Sequence, residues 1–208
     1  MKNKVILFDW GNIVESFTKG FTCPDAWNEL FHKCGYEGEE DVFYKLSKYQ
    51  LSCIKDSKEF EKVYGLIKKD FGLTATYQDF VDIYLDTFDK TYYFKDVADY
   101  EVSLKDRCYI GILSNLTIFD KRRLTKQIDL SKYDYVFLSY EMGVRKPNIE
   151  MYKKVEKILP VKGKDVLFID DRSDNIETAN MIGWNTLQAT GLELEKIKER
   201  CEQFLNDK

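Results

Sequence analysis

Four short segments of the chain carry side chains that can act together. Asp9 ends the apolar run of "KVILFDWGN", and Ser114 and Asn115 end "GILSN". Lys146 stands in "GVRKPN", and Asp170 and Asp171 are adjacent in "FIDDRSDN". Three carboxylates, one hydroxyl and one ammonium suit a hard divalent cation beside an anion. Mg²⁺ takes one or two carboxylates together with waters and phosphate oxygens. The adjacent acids are the most informative pair, because two carboxylates closing a buried run need a partner. Singly the others say less: Ser-Asn is an ordinary turn pair, and one lysine among many is usually solvated.

These groups sit beyond short apolar runs rich in β-branched and aromatic residues, at 5–8, 109–113, 135–138 and 166–169, with a weaker run at 186–188. Helix-like patterns over about 117–127, 148–159, 174–182 and 192–205 separate the later runs. Strand, helix and strand at this spacing predict an α/β fold, a Rossmann-like parallel sheet flanked by helices. In such a sheet the carboxyl ends of the strands open on one edge, so distant Asp, Ser, Lys and Asp-Asp groups meet in one crevice. Pro147 is expected in the first turn of a helix and Pro160 just past its end.

Residues 17–95 break the rhythm. Helices are expected at about 24–33, 40–54, 58–71 and 77–89, with N-caps at 56–59 and 76–79 and terminators at Gly35 and Gly72. Phe60, Val63, Tyr64, Ile67 and Phe71 make one apolar face at helical spacing. The expected division is an α/β core of residues 1–16 and 96–208 with a helical insertion of 17–95. That insertion leaves the sheet at the carboxyl end of strand one, where it can cap the crevice.

The bulk composition narrows the chemistry. A chain of 208 residues that is 44% hydrophobic can bury one sizeable core. Its 32 basic and 36 acidic residues are interspersed, with net charge -4, so neither nucleic acid nor a membrane surface is an expected partner. No apolar run approaches ~18 residues, and neither a span nor a signal peptide is expected. Five widely spaced cysteines fit reduced thiols in a cytoplasmic protein. The single histidine, His32, is expected at the surface, which leaves no His-rich zinc site or Ser-His-Asp triad. Gly-x-Ser-x-Gly, Gly-x-Gly-x-x-Gly and Walker A segments are absent from the sequence.

The set "FDWGN", "GILSN", "GVRKPN" and "FIDDRSDN" resembles the four motifs of the haloacid dehalogenase-like hydrolase superfamily, in order and in strand-end placement. The helical insertion resembles the type-one cap of its subfamily IA. The resemblance is close over 4–14 and 108–190 and architectural over the insertion. It implies that Asp9 is the nucleophile of an aspartyl-phosphate intermediate and also a ligand of Mg²⁺. Gly11 matches the position whose backbone carbonyl binds the metal, and Asp170 and Asp171 complete that site, with Asp174 and Asn175 behind them. Ser114 and the Asn115 amide would hold phosphoryl oxygens, and Lys146 would neutralise nucleophile and phosphate together. The implied substrate is a small phosphorylated metabolite, with sugar phosphates leading.

Gly11 departs from that pattern. Most phosphatases of the family carry an aspartate there, which protonates the leaving oxygen; loss of such a group ordinarily costs ~10²–10⁴ in rate. The "D-x-G-N" form resembles the α-D-glucose-1-phosphate phosphatase-like subgroup, whose less basic anomeric leaving group needs less protonation. Glu15 is a candidate substitute acid, though a surface position is expected for it. The alternative is a weak or inactive phosphate- or protein-binding module. A metal-free dehalogenase is disfavoured by the tandem aspartates, and a phosphomutase by the missing acid. Arg145 and Arg172 flank the motifs and could touch substrate, though a solvated rim is expected for both; Asp174 is expected as a helix N-cap, Trp10 as packing, and Trp27, Tyr92 and Tyr93 as core.

Overall fold

The computed structural model describes residues 2–18 and 21–207; Lys19 and Gly20, within the expected insertion, and both terminal residues lie outside the described residues. In chain order the strands and α-helices are β1 (Val5–Phe8), β2 (Glu15–Phe17), α1 (Cys23–Lys33), α2 (Val42–Leu46), α3 (Ser57–Phe71), α4 (Tyr77–Phe88), β3 (Thr91–Tyr93), α5 (Lys95–Ser103), β4 (Tyr109–Ser114), α6 (Asp120–Gln127), β5 (Tyr135–Leu138), α7 (Ser139–Met142), α8 (Ile149–Ile158), β6 (Val166–Asp170), α9 (Ser173–Met181), β7 (Asn185–Gln188) and α10 (Leu194–Asn206). Five strands pair in parallel in the order β5-β4-β1-β6-β7. Strand β1 is central, and all four of its residues are fully buried. That burial on both faces is why it reads as an unbroken apolar run rather than an alternating one.

Two apolar clusters flank the sheet. One holds Ile6, Phe8, Ile110, Ile112 and Leu167 against α5, α6 and α10 residues such as Val97, Leu124 and Phe204. The other holds Val5, Leu7, Leu113, Val166 and Phe168 against Met151, Tyr152 and Val155 of α8 and Ala179 of α9. A third cluster lies wholly among residues 26–88, where Trp27, Phe31, Phe60, Phe80, Tyr84 and Phe88 are buried together. Its helices are stopped and started as their sequences dictate. Thr22 with Asp25 and Thr76 with Asp79 form capping boxes. Asp56 caps α3, and Gly72, in left-handed backbone at φ 65°, ends it.

Several expectations are corrected. The helix expected over 40–54 is α2 followed by two single 3₁₀ turns, because Gln50 takes left-handed backbone at φ 49° and breaks the run. The short antiparallel pair of β2 and β3, in register Glu15↔Tyr93 and Phe17↔Thr91, forms both crossings between the sheet and the helical insertion. Pro147 lies before the N-cap Asn148 of α8, not inside its first turn. Tyr92 is exposed rather than core.

One buried acid of the sheet layer has a measurable consequence. Glu101 of α5 is fully buried, accepts the Tyr133 hydroxyl at 2.7 Å on Oε2 and has no partner for Oε1. Burial pushes its carboxyl from 4.5 up to about 8, with the Tyr133 bond pulling the other way. Between those two values the folded chain keeps a proton that the unfolded chain has released, so stability falls as pH rises through that window. Thermal unfolding followed from pH 5 to 9 is expected to show a progressive loss, on the order of a few kcal/mol from this group. Glu101→Gln should make that profile shallower; an equally steep decline in the variant would assign it elsewhere.

Candidate active site

The register carries the candidate residues to one edge. Phe8 pairs with Ile112 on one side and Ile169 on the other, so the next residues, Asp9 and Asp170, leave the sheet side by side. The Asp9 N–H continues the ladder by donating to the Ile169 carbonyl at 2.9 Å. Ser114 closes β4, and Lys146 enters from the loop after β5 and α7. One oxygen of each of Asp9, Asp170 and Asp171 lies within 4.8 Å of the others.

Within the cluster, hydrogen bonds to Asp9 fall on Oδ1. That oxygen accepts the Ser114 hydroxyl at 2.6 Å and the Trp10 N–H at 2.7 Å, and Lys146 Nζ lies 3.2 Å from it. Lys146 Nζ also donates to Asp170 Oδ2 at 2.6 Å and lies 5.0 Å from the centre of the Phe168 ring. Asp170 is further held by Asn175 Nδ2, at 2.9 and 3.0 Å from its two oxygens, and by the Arg172 N–H at 2.9 Å. Asn12, in left-handed backbone at φ 57°, donates its amide to Asp171 Oδ2 at 2.9 Å.

The charges do not balance. Lys146 and Asp170 are almost completely buried and Asp9 is 7% exposed, yet one ammonium faces three carboxylates. Burial raises the Asp9 carboxyl well above the usual carboxylate range. Lys146 pulls it down, while Asp170 and Asp171 push it up again. Asp171 is also raised by burial, against the Asn12 bond. For Lys146 burial works against the charged form, but Asp170 and Asp9 outweigh it and its pKa is raised. A buried, acceptor-only cluster with surplus negative charge is what a hard cation requires. The residues present therefore fit a divalent metal.

Asn115 does something different from contacting a ligand with its side chain. Its Nδ2 donates to the Lys146 carbonyl and its Oδ1 accepts the Lys146 N–H, both at 2.9 Å. It clamps the backbone that presents the lysine, across from the cis bond to Pro147. Fully buried Ser139, opening α7, supports the loop after β4 by accepting the Leu116 N–H at 3.0 Å. Its hydroxyl also reaches the Ser52 carbonyl of the helical insertion at 2.6 Å.

Glu15 is not at the surface, and it does not serve the aspartate cluster. It is 4% exposed. Its Oε1 lies 3.2 Å from Arg123 Nε, and its Oε2 accepts Gln127 at 2.6 Å and Thr91 at 3.0 Å. Burial raises it to about 7 while Arg123 lowers it. Both oxygens are spent on the ribbon and α6. Arg123 also pairs with Asp120 at 3.1 Å, and Asp120 accepts the hydroxyl of Tyr84 from the insertion at 2.9 Å.

Gly11 keeps an ordinary backbone, and a Cβ there would meet nothing within 4 Å. Asp174 is in the first turn of α9 rather than its N-cap, which is Arg172, and it pairs with Arg172 at 2.6 Å rather than supporting the aspartates. Trp10 is fully buried under the Arg123 guanidinium, 4.9 Å from its ring. His32 is exposed, and all five cysteines are free thiols. Asn12 and Ser139 carried no sequence signal beyond turn-forming and small polar character. Among the described residues no helix is long and apolar enough to cross a membrane.

With this geometry in place, comparison with known proteins is direct. A family model for haloacid dehalogenase-like hydrolases matches residues 4–183. The chain is 27% identical over 202 residues to a D-ribitol-5-phosphate phosphatase of Bacteroides thetaiotaomicron, covering 89% of this chain and 91% of that protein. A crystal structure of a HAD family enzyme from the same bacterium, an asp12ala mutant in complex with magnesium and inorganic phosphate, superposes with TM-score 0.72 at 21% identity, covering 91% of this chain and 95% of the other. An L-2-haloacid dehalogenase from Xanthobacter autotrophicus shares the fold at TM-score 0.59 and 18% identity, over 95% and 83% of the two chains. The chain belongs to the haloacid dehalogenase-like hydrolases.

Proposed function

We propose that this hydrolase is a Mg²⁺-dependent phosphatase of a small phosphorylated metabolite, with sugar and sugar-alcohol phosphates as the leading class. The observation that carries the reading is the convergence of Asp9, Ser114, Lys146, Asp170 and Asp171, with negative charge left over. The relative that acts on D-ribitol 5-phosphate supports the substrate class.

Asp9, Asp170, Asp171 and the Gly11 carbonyl would hold the ion, which supplies positive charge to nucleophile and phosphoryl group. Asp9 Oδ1 is fixed by Trp10, Ser114 and Lys146, which aims the carboxylate along the crevice. A carboxylate oxygen attacks phosphorus, the ester oxygen departs with its electron pair, and an acyl phosphate forms on Asp9. Lys146 offsets charge on the transferring group, and the Ser114 hydroxyl, turned from Asp9 Oδ1 once substrate is bound, joins the Asn115 backbone amide in holding its oxygens. Water then cleaves the acyl phosphate and regenerates Asp9. The helical insertion, residues 17–95, acts as the cap that shuts bulk water out of this step, and the protein works in the cytoplasm.

Chelation provides the test. Phosphate release from p-nitrophenyl phosphate is expected to vanish with EDTA and return with millimolar Mg²⁺. A binding readout stands beside it: Mg²⁺ should raise the Tm by several degrees, because a ligand that binds only the folded state stabilises it. Asp171→Asn, which removes one carboxylate, should weaken that shift. Full activity in EDTA together with an unmoved Tm would overturn the metal assignment.

A further inference from the structure

The loop that presents Lys146 holds a second cation that the chemistry above does not use. Arg145 is half-buried rather than solvated at a rim. Its Nε makes a long contact of 3.4 Å to the Lys146 carbonyl, and its two terminal nitrogens donate to nothing among the described residues. No carboxylate lies within ion-pair distance of it among the described residues, whereas the buried Arg123 pairs with both Glu15 and Asp120. The acid whose charge acts on it, Asp174, is gripped by both arms of Arg172, at 3.0 and 2.6 Å.

The surroundings place this guanidinium between the helical insertion and the loop after β6. Its charged and polarisable neighbours are Cys53 and Cys23, both from the helical insertion, and Arg172 and Asp174, from the loop after β6. Arg145 thus sits between insertion and sheet edge, next in sequence to a lysine that touches Asp9. Burial, together with like-charged Arg172, pulls it below the ordinary guanidinium value. A partly desolvated guanidinium with free planar donors is unfavourable until an oxygen acceptor arrives.

We propose that Arg145 reads the part of the substrate beyond the phosphoryl group, donating to an oxygen of its carbon skeleton and so selecting oxygen-rich phosphate esters over bare ones. The inference rests on the phosphatase reading of the same site and adds the residue that sets specificity there. Hydroxyl and carboxylate oxygens offer the same acceptor chemistry, and the fork geometry favours two acceptors on neighbouring atoms.

The test compares three five-carbon esters of equal length: pentyl phosphate, a pentitol 5-phosphate and a pentonic acid 5-phosphate. For wild type, kcat/KM should be highest on the oxygenated pair. In Arg145→Ala the ratio of kcat/KM for oxygenated over plain ester should fall by roughly 10- to 100-fold, the range for a lost charge-assisted hydrogen bond. Arg145→Lys should recover part of it, since charge remains but the fork does not. A larger loss on the pentonate identifies carboxylate as the preferred acceptor, and a larger loss on the pentitol identifies hydroxyl. An unchanged ratio in Arg145→Ala overturns the proposal, whether both rates fall together or neither moves. If wild type releases phosphate from none of the three, the phosphatase reading fails separately. Calorimetric binding of the same esters then decides the Arg145 claim by the same ratio.

Discussion

Asp9→Asn is expected to lower kcat for p-nitrophenyl phosphate by roughly 10⁴-fold or more, because it replaces the carboxylate proposed to form the covalent intermediate. The amide is nearly the same shape, and its carbonyl oxygen can still accept from Ser114 and Trp10. Folding should therefore survive. The variant also relieves repulsion, since Asp170 and Asp171 both act to raise Asp9, so its Tm without metal is expected to equal or exceed that of wild type. Unfolding curves and phosphate release on one preparation provide the check. Turnover within tenfold of wild type would end the nucleophile assignment; lost activity with a collapsed Tm would show that Asp9 is structural.

Gly11→Asp is expected to act in the opposite direction. Wild type should favour an aryl phosphate over an alkyl phosphate by a wide margin, because phenolate leaves without a proton and alkoxide does not. A Cβ at position 11 meets no neighbour within 4 Å and needs no left-handed backbone, so the substitution starts without a clash at Cβ or backbone strain. It should raise kcat on the alkyl ester by about 10²-fold, the lower end of what general acid catalysis supplies, and change the aryl rate far less. A fourth carboxylate beside Asp9 also adds repulsion, so the variant should need more Mg²⁺ to reach the same Tm. Equal wild-type rates on both esters would show that a proton donor is already present. Glu15 would be a poor explanation, with both its oxygens committed to Arg123, Gln127 and Thr91.

How much of this was legible in the sequence follows from how local each determinant is. Strands β1 and β5 match the expected ranges because their apolar runs and boundaries are local. The convergence of Asp9, Ser114 and Asp170 needed only the parallel sheet, since register does the rest, while Lys146 arrives from the loop after α7. The ribbon of β2 and β3 was missed because three-residue strands with Glu, Ser and Thr carry no periodicity. The break at Gln50 was missed because glutamine is a good helix former and neither Gly nor Pro marks the turn. Glu15 and Arg145 were both misplaced at the surface for one reason. A charged residue's burial depends on partners far along the chain, such as Arg123, or on a crevice made by two separate parts of the fold.

The hydroxyl of Ser139 joins two things that sequence keeps apart, the Ser52 carbonyl of the insertion and the loop of Ser114 and Asn115. Were the insertion lifted, that hydroxyl would lose the Ser52 acceptor and keep the Leu116 carbonyl, 3.1 Å away, so a single oxygen serves both to anchor the insertion and to brace the loop.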